Sequence, residues 1–366
     1  MLEIEFANAG VEISLVLLLL LGLMVGVLSG FFGVGGGFLI TGGLIVFGVP
    51  TPFAVGTGLT LIMGSSIINT LKHRHLGNVD FKLGLILVSG TIPALFLAEW
   101  LINSLESAGL AGPVIRYVYV VVLAALGLFI VYDFWRTRRA TVAQMGEITT
   151  ARLAQRVQSL KIPPHSITIP GYRRVPTYVS CPVSGINRIS VFIPFTVGIG
   201  AGLFAGLLGA GGGTVLMPVL IFVLGIPTTI AIGTDLFQII ITGSMGTFIK
   251  SFNNHVDPVM VVIMLTSASL GSQLGTAATR YVAASRIRIL FGVTVLSGSV
   301  AVAMEQASKA SWGGEALSTA ASVLLLGFAG VICIMIAVMM VKAKWGAGGE
   351  QAVGRLETRN THEAGD

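Results

Sequence analysis

The sequence predicts an all-α integral membrane protein, and three observations carry this prediction. Of the 366 residues, 54% are hydrophobic and only 10% are charged, whereas a soluble domain carries about 25% charged residues. The mean hydropathy is +0.90, and the apolar blocks are about 18 to 24 residues long, which is the length that crosses hydrocarbon as a helix. The blocks lack the alternation of apolar and polar residues that marks the strands of a membrane barrel.

Eleven apolar segments are expected to be helices. Two of them, 38–48 and 214–224, are too short to cross a bilayer alone at about 1.5 Å per residue. Both directly follow a cluster of glycines, which are costly inside a helix. The longer predicted segments are 11–30, 52–71, 82–104, 113–135, 191–207, 228–250, 258–280, 286–304 and 318–342.

The chain repeats itself around the glycine clusters. The stretch LSGFFGVGGGFLITGGL holds five glycines from Gly30 to Gly37, and the same spacing returns from Gly206 to Gly213, 176 residues later. After one inserted residue the agreement continues through the next helix and the turn behind it. We therefore expect a first transmembrane repeat over 1–135, a basic cytoplasmic linker over 136–190, a second repeat over 191–305, an extra helix over 306–345 and a polar cytoplasmic tail over 346–366.

Basic residues orient the two halves. The linker contains nine Lys or Arg and one acidic residue, Glu147, which predicts a cytoplasmic position by the positive-inside rule. The basic turn at 72–75 lies two crossings earlier and falls on the same side. In the second half the basic turn, 280–288, comes one helix later than in the first, so the halves are expected to be inverted, although Lys250 on the outside counts against this.

Glycines at intervals of four precede each cluster. This spacing puts them on one helix face, where small residues let two backbones approach closely. These glycines predict packing grooves between helices, about which the two halves are expected to rotate during transport. The residues are Gly22, Gly26 and Gly30 in the first half, and Gly198, Gly202 and Gly206 in the second.

The two glycine clusters are the first candidate binding elements. Unwound backbone at membrane depth is tolerated only against protein or a watery cavity, and the helix that follows begins with free N–H groups and a positive dipole end. Two such ends can face one small anion from opposite sides, and a purely structural hinge is the alternative. The residues are Gly33, Gly35, Gly36 and Gly37, with Gly209, Gly211, Gly212, Gly213 and Thr214 in the second copy.

A second repeated motif, VPTPFAVGTG and IPTTIAIGTD, follows each short segment. Gly56 and Thr57 in the first copy, and Gly233 and Thr234 in the second, place a small residue beside a hydroxyl. These threonines are candidate hydrogen-bond donors to a ligand, although a threonine in a membrane helix more often bonds its own backbone.

Asp235 is the candidate for proton coupling. It replaces Gly58 of the first repeat, and an ionisable group within a membrane span is by default a functional candidate. A structural pair with Arg288 or Lys250 is the alternative. Gln273 and Asn69 are also polar within apolar runs, and each is expected either to bind an oxyanion or to join two helices.

The sequence gives little support to nucleic-acid binding, nucleotide binding, metal binding or catalysis. The excess of basic residues that produces the net charge of +6 sits mostly in the linker, so no nucleic-acid partner is expected. The glycine clusters match neither nucleotide-binding pattern. His73 and His75 lack further ligands for zinc, and Cys333 has no His or acid nearby, so we expect no metal, no cofactor and no enzyme.

Together, the paired glycine clusters, the Gly-x-Pro…Ala-x-Gly-Thr helices and the Val-Asp turns resemble the TauE/SafE family of sulfite exporters. The likeness covers about 20–135 and 196–305. It implies export of a small sulfur oxyanion or organosulfonate, such as sulfite or sulfoacetate. The residues that it carries over are Gly33, Gly35, Gly36, Gly37, Gly56 and Thr57, with Gly209, Gly211, Gly212, Gly213, Gly233 and Thr234 in the second copy. Gly42 departs from the family pattern, because the second copy has Pro218 at that position.

The resulting expectation is a multi-pass secondary transporter of the inner membrane. Its partners would be a small anionic substrate, the lipid bilayer and a second copy in a homodimer. Alternating access coupled to the proton gradient is expected. A carrier or channel for another small organic anion, or a membrane component of sulfur relay, are the alternatives.

Overall fold

The computed structural model describes residues 3–6, 8–141, 156–159, 166–167, 175–209, 211–309 and 314–363. Eight helices in these ranges are long and apolar enough to cross a membrane. The predicted all-α membrane fold is thereby confirmed for the described part of the chain.

Most of the helices follow the predicted segments closely, but the last helix continues to Glu363, through most of the predicted polar tail and well beyond the expected end at residue 342. Both short helices occur where they were expected, directly after a glycine cluster. The first half contains α1 (Leu15–Phe32), α2 (Gly37–Val46), α3 (Thr51–His75), α4 (Phe81–Ser107) and α5 (Ala111–Thr141). The second half contains α6 (Phe192–Leu208), α7 (Gly213–Pro218) with a π-helical turn (Val219–Val223), α8 (Thr228–Phe252), α9 (Pro258–Ala278) and α10 (Ala284–Lys309), and α11 (Gly314–Glu363) follows them.

Three antiparallel strand pairs accompany the helices. The prediction that helix begins at residue 11 is wrong, because Glu3–Phe6 and Val11–Ser14 alternate polar and apolar residues and pair as strands. This pairing buries Phe6 and Ile13. The pairs are β1 (Glu3–Phe6) with β2 (Val11–Ser14), β3 (Ser166–Ile167) with β4 (Val175–Pro176), and β5 (Tyr178–Cys181) with β6 (Ile186–Ser190).

The first helix of each half packs against a helix of the other half, and the two contacts are equivalent in the repeat. Helix α1 of the first half lies along α9 of the second, and α6 of the second half lies along α4 of the first. The glycine ladders make these approaches possible, since a Cβ atom on Gly26 would lie 2.7 Å from Cα of Ala268 and one on Gly202 would lie 2.5 Å from the carbonyl oxygen of Thr91. The ladders are therefore packing grooves, as predicted.

Helices α3 and α8, which are equivalent in the repeat, lie side by side and run in opposite directions. Near the start of α3, a Cβ atom on Gly56 would lie 2.9 Å from the carbonyl carbon of His255, just beyond the end of α8. Near the start of α8, a Cβ atom on Gly233 would lie 2.8 Å from the carbonyl carbon of Asn78, just beyond the end of α3. These two glycines therefore serve the contact between the halves.

Candidate functional site

Each glycine cluster turns the chain back along the helix that precedes it. The N–H of Gly33 bonds to the carbonyl oxygen of Ser29 at 2.9 Å and ends α1. A Cβ atom on Gly43 would lie 2.8 Å from Cδ2 of Leu21, so α2 returns along α1. The turns need backbone angles that L-residues rarely adopt. Positive φ values of 65° to 79° occur at Gly33, Gly35, Gly36, Gly209, Gly211 and Gly212.

Each turn inserts against the long helix of the other half. A Cβ atom on Gly33 would lie 2.7 Å from Cα of Ile232 on α8. The equivalent atom on Gly209 would lie 2.7 Å from Cα of Val55 on α3. These contacts leave no room for a side chain at either position, so only glycine permits both turns to reach the interior.

The two turns meet at a pair of equivalent isoleucines. A Cβ atom on Gly211 would lie 3.2 Å from Ile62 of α3 and 3.3 Å from Ile239 of α8. Ile62 also contacts Gly35 of the first turn. Both isoleucines are fully buried. The glycine clusters that the sequence singled out are thus brought together at the interface between the halves.

Polar groups without partners lie beside this meeting point. Asp235 of α8 is fully buried, and its Oδ2 lies 2.7 Å from where a Cβ of Gly213 would stand. Neither of its carboxylate oxygens has a hydrogen-bond partner among the described residues. The same holds for the amide of Gln238, one turn further along α8, and for the hydroxyl of Thr214 in the first turn of α7.

Burying polar atoms without partners is costly. Gln238 is fully buried and Thr214 is 1% exposed, so solvent does not satisfy these groups, and no hydrogen bond within the described residues does so either. The arrangement can supply a hydroxyl, an amide and a carboxyl group to a polar ligand, beside the first turns of α2 and α7.

The alternative that Asp235 forms a structural ion pair is wrong. Lys250 pairs instead with Glu99, with 2.6 Å between Nζ and Oε2. The Arg288 guanidinium lies over the ring of Phe222, 5.9 Å from its centroid. Asp235 therefore keeps its carboxyl group free of both cations.

The motif threonines make structural contacts that the sequence did not anticipate. The backbone N–H of Asp257 donates to Thr57 Oγ1 at 3.2 Å, and that of Asp80 donates to Thr234 Oγ1 at 3.0 Å. These bonds hold the segment before α9 and the segment before α4 against the opposite half. A role for Thr57 and Thr234 in substrate binding stays a prediction.

Gln273 lies apart from the other predicted residues. It is exposed on α9, so the structure does not bring it to the glycine turns. The polar residue that joins helices is Asn69 instead, whose Nδ2 donates to Ser29 Oγ at 3.0 Å and whose Oδ1 accepts from Thr276 Oγ1 at 2.9 Å.

Sequence reasoning missed Gln238 and Glu99. Gln238 follows Asp235 by three residues, a spacing that puts both on one helix face, so it could have been found. Glu99 lies within the predicted segment 82–104 and Lys250 ends the segment 228–250. Two opposite charges within spans indicate a pair.

The described residues give little support to metal or thiol chemistry. No group of three His, Cys, Asp or Glu residues among them could hold a metal ion. Cys181 is buried in β5, and desolvation raises the pKa of its thiol to about 11. It therefore stays protonated, and a protonated thiol is a poor nucleophile.

Two glycine turns that meet beside buried polar groups, within a bundle of apolar helices long enough to cross a membrane, define a multi-pass membrane protein with a candidate site in its interior. The family model described as sulfite exporter TauE/SafE matches residues 18–303. The chain belongs to this family of membrane transporters.

Curated relatives of the chain are described as probable membrane transporter proteins. The probable membrane transporter protein YunE of Bacillus subtilis is 23% identical over 291 residues, which cover 77% of this chain and 95% of that protein. A probable membrane transporter protein of Methanocaldococcus jannaschii is 33% identical over 114 residues, or 29% of this chain and 41% of that protein. No solved structure matches the chain.

Proposed function

We propose that this chain is a secondary transporter that exports a small sulfur oxyanion, sulfite or an organosulfonate such as sulfoacetate, across the cytoplasmic membrane. The meeting of the two glycine turns beside unpartnered polar groups is the observation that carries the proposal. The family described as sulfite exporters supports the substrate class.

The turns supply donors that suit an oxyanion. The first N–H groups of α2 and α7 have no partner within their helices, and helix N-termini favour negative charge. The Thr214 hydroxyl and the Gln238 amide add two donors from buried positions. An anion held this way needs no cationic side chain in the membrane interior, where charged residues are expensive.

Asp235 gives a physical reason for proton coupling. A charged carboxylate and a bound anion repel each other in a buried site, and one proton on the carboxyl group removes the repulsion. Protonation of Asp235 and binding of the anion then favour each other. When a sulfite dianion leaves the cell together with one proton, the net charge that crosses the membrane is negative. The inside-negative membrane potential therefore favours its outward movement.

The proposed alternating access requires two halves of opposite orientation. Equivalent helices α3 and α8 lie antiparallel, which is the arrangement that inversion requires. Lys250, the basic residue that counted against inversion, is neutralised by Glu99. We infer that the halves rock about the glycine ladders, with the turns at the centre.

Proteoliposomes test the proposal directly. The expected result is saturable uptake of radiolabelled sulfite that depends on a pH gradient and is inhibited by sulfoacetate. The absence of sulfite flux, with or without a gradient, would discard the sulfur-anion assignment. Flux that rises linearly without saturation would favour a channel.

The variant Asp235→Asn separates coupling from transport. We expect sulfite flux that no longer responds to the pH gradient. The matched control is Asp133→Asn, which changes a half-buried carboxyl group on α5 and leaves the turns untouched. An unaltered pH response in Asp235→Asn would remove this residue from the mechanism.

A further inference from the structure

A cavity lies where α3 and α9 end. Its volume is about 300 Å³, and the described residues that line it are Lys72, His75, Thr276, Ala277, Arg280 and Tyr281. Three of these six are basic and none is acidic. The cavity is on the side that the basic turns place in the cytoplasm.

The described residues that line this basic cavity include no acid to balance its charges. The Lys250–Glu99 ion pair and the contact between His255 and Glu106 lie at the other end of the long helices. Lys72 is half-buried and Arg280 is exposed. Two cations that share a cavity without a counter-charge repel each other, and an anion between them relieves the repulsion.

A chain of hydrogen bonds joins the cavity wall to the first glycine turn. The Thr276 hydroxyl donates to Asn69 at 2.9 Å, and Asn69 donates to the Ser29 hydroxyl at 3.0 Å. The Ser29 carbonyl oxygen accepts from Gly33 at 2.9 Å. All of the connecting side chains are buried, so a polar connection runs from the cavity to the turn.

Further polar groups line the same helices. The hydroxyls of Ser66 and Thr70 on α3 and of Ser272 on α9 are buried and have no hydrogen-bond partner within the described ranges. Unpartnered hydroxyls along a buried face are the groups that a passing polar solute could bind.

The opposite end of the molecule has an ion pair at the equivalent place. An offset of 177 residues relates His73 to Lys250 and Glu99 to Thr276. Where the cytoplasmic end has the cavity and its neutral hydrogen-bond chain, the other end has the buried Lys250–Glu99 ion pair. The equivalent places therefore carry a basic cavity at one end and a buried ion pair at the other.

We propose that the basic cavity is a second anion site, which binds a sulfite, sulfonate or phosphate group before it moves toward the glycine turns. The chemistry it recognises is a small tetrahedral or pyramidal oxyanion with two or three charged oxygens. Its role as the loading position rests on the proposed function, whereas anion binding in the cavity rests on the cavity alone.

Equilibrium binding of radiolabelled sulfite to the full chain, in nanodiscs of uncharged lipid, tests the proposal. We expect two classes of site. Lys72→Gln and Arg280→Gln should each weaken one class about tenfold, because each removes a charge-assisted contact, and high salt should weaken that class as well. Lys82→Gln is the matched control, since Lys82 lies on the same side and its Nζ bonds to the Ser180 carbonyl oxygen at 2.9 Å.

Unchanged binding in the Lys72→Gln and Arg280→Gln double variant, or an equal loss in Lys82→Gln, would overturn the proposal. Thr214→Val separates this site from the proposed transport site, because it should weaken only the other class. Loss of sulfite binding in the double variant without sulfite flux in proteoliposomes would leave the cavity site standing and reject the proposed function.

A lipid headgroup offers the same phosphate chemistry as a free anion. Nanodiscs that contain phosphatidylglycerol, compared with free inorganic phosphate as competitor, distinguish the two sources. Displacement of sulfite by inorganic phosphate supports the loading site. Displacement by phosphatidylglycerol alone would assign the cavity to lipid and overturn the proposal.

Discussion

Lys250 of α8 and Glu99 of α4 form an ion pair with 2.6 Å between Nζ and Oε2, and their side chains are only 2% and 9% exposed. The other carboxylate oxygen of Glu99 accepts a hydrogen bond from Asn253 at 2.5 Å. The pair joins the two halves at the end opposite the basic cavity. Each charge is tolerable there only because the other is present.

Removal of one partner should therefore be strongly destabilising. We expect Lys250→Met to lower the free energy of unfolding by about 3–5 kcal/mol, because Glu99 is left buried and uncompensated. Thermal unfolding of the protein in detergent measures the effect.

The double variant Lys250→Met with Glu99→Leu supplies the control for this prediction. It removes both charges and should recover most of the lost stability. A double variant as unstable as the sum of the two single variants would show that the pair is not coupled.

The motif threonines should matter for stability. Thr57→Val leaves the buried N–H of Asp257 without an acceptor, and Thr234→Val does the same for Asp80, so each should cost about 1–3 kcal/mol. Thr57→Ser and Thr234→Ser keep the oxygen and should be nearly neutral. Valine variants with undiminished melting temperature but weaker sulfite binding would favour the substrate role instead.

Alanine at the first glycine of either cluster should prevent correct folding. Gly33→Ala and Gly209→Ala place a Cβ atom against backbone at 2.7 Å and force an L-residue into positive φ, which together should cost about 3 kcal/mol or more. Size-exclusion chromatography reports the yield of folded protein.

Gly200→Ala is the matched control for the cluster variants. Gly200 lies within α6 with no atom near its Cβ position, and alanine favours helix over glycine by about 1 kcal/mol. We expect folded protein in normal yield. Normal yields for all three variants would contradict the tight packing of the turns.

Acidification should destabilise the protein through His255. Burial lowers the pKa of His255 below its ordinary value of 6.5 although Glu106 opposes this, and Lys250 lowers it further. The unfolded chain then binds more protons than the folded one, so stability is complete above pH 6.5 and falls as the pH drops below it.

Melting temperatures at pH 7.5 and pH 5 measure this dependence. His255→Gln should reduce the difference between the two temperatures. An equal difference in wild type and variant would assign the acid sensitivity to other groups.

Much of the helical fold could be predicted from sequence because apolar length is a local signal. The glycine clusters could also be recognised from the sequence, since glycines are rare in stable helices and these recur at one spacing. The strand Val11–Ser14 was misassigned because it is continuous with the apolar run of α1. Its short alternating pattern is visible only beside its partner Glu3–Phe6.

The partners of the site residues could not be predicted in the same way. Thr57 and Asp257 are 200 residues apart in the chain, and only the packing of one half against the other brings them together. Gln273 and Gln238 both look polar within apolar runs. Which one faces the interior depends on helix rotation, which tertiary packing decides.

The most direct test of the central claim compares Thr214→Val with Gln273→Leu. The quantity measured is the rate of sulfite exchange in proteoliposomes, at sulfite concentrations below saturation. Thr214 is buried beside the turns, whereas Gln273 is exposed. The account predicts about a tenfold slower exchange for Thr214→Val and the wild-type rate for Gln273→Leu. An undiminished rate for Thr214→Val, or a loss in Gln273→Leu alone, would contradict the placement of the anion at the glycine turns.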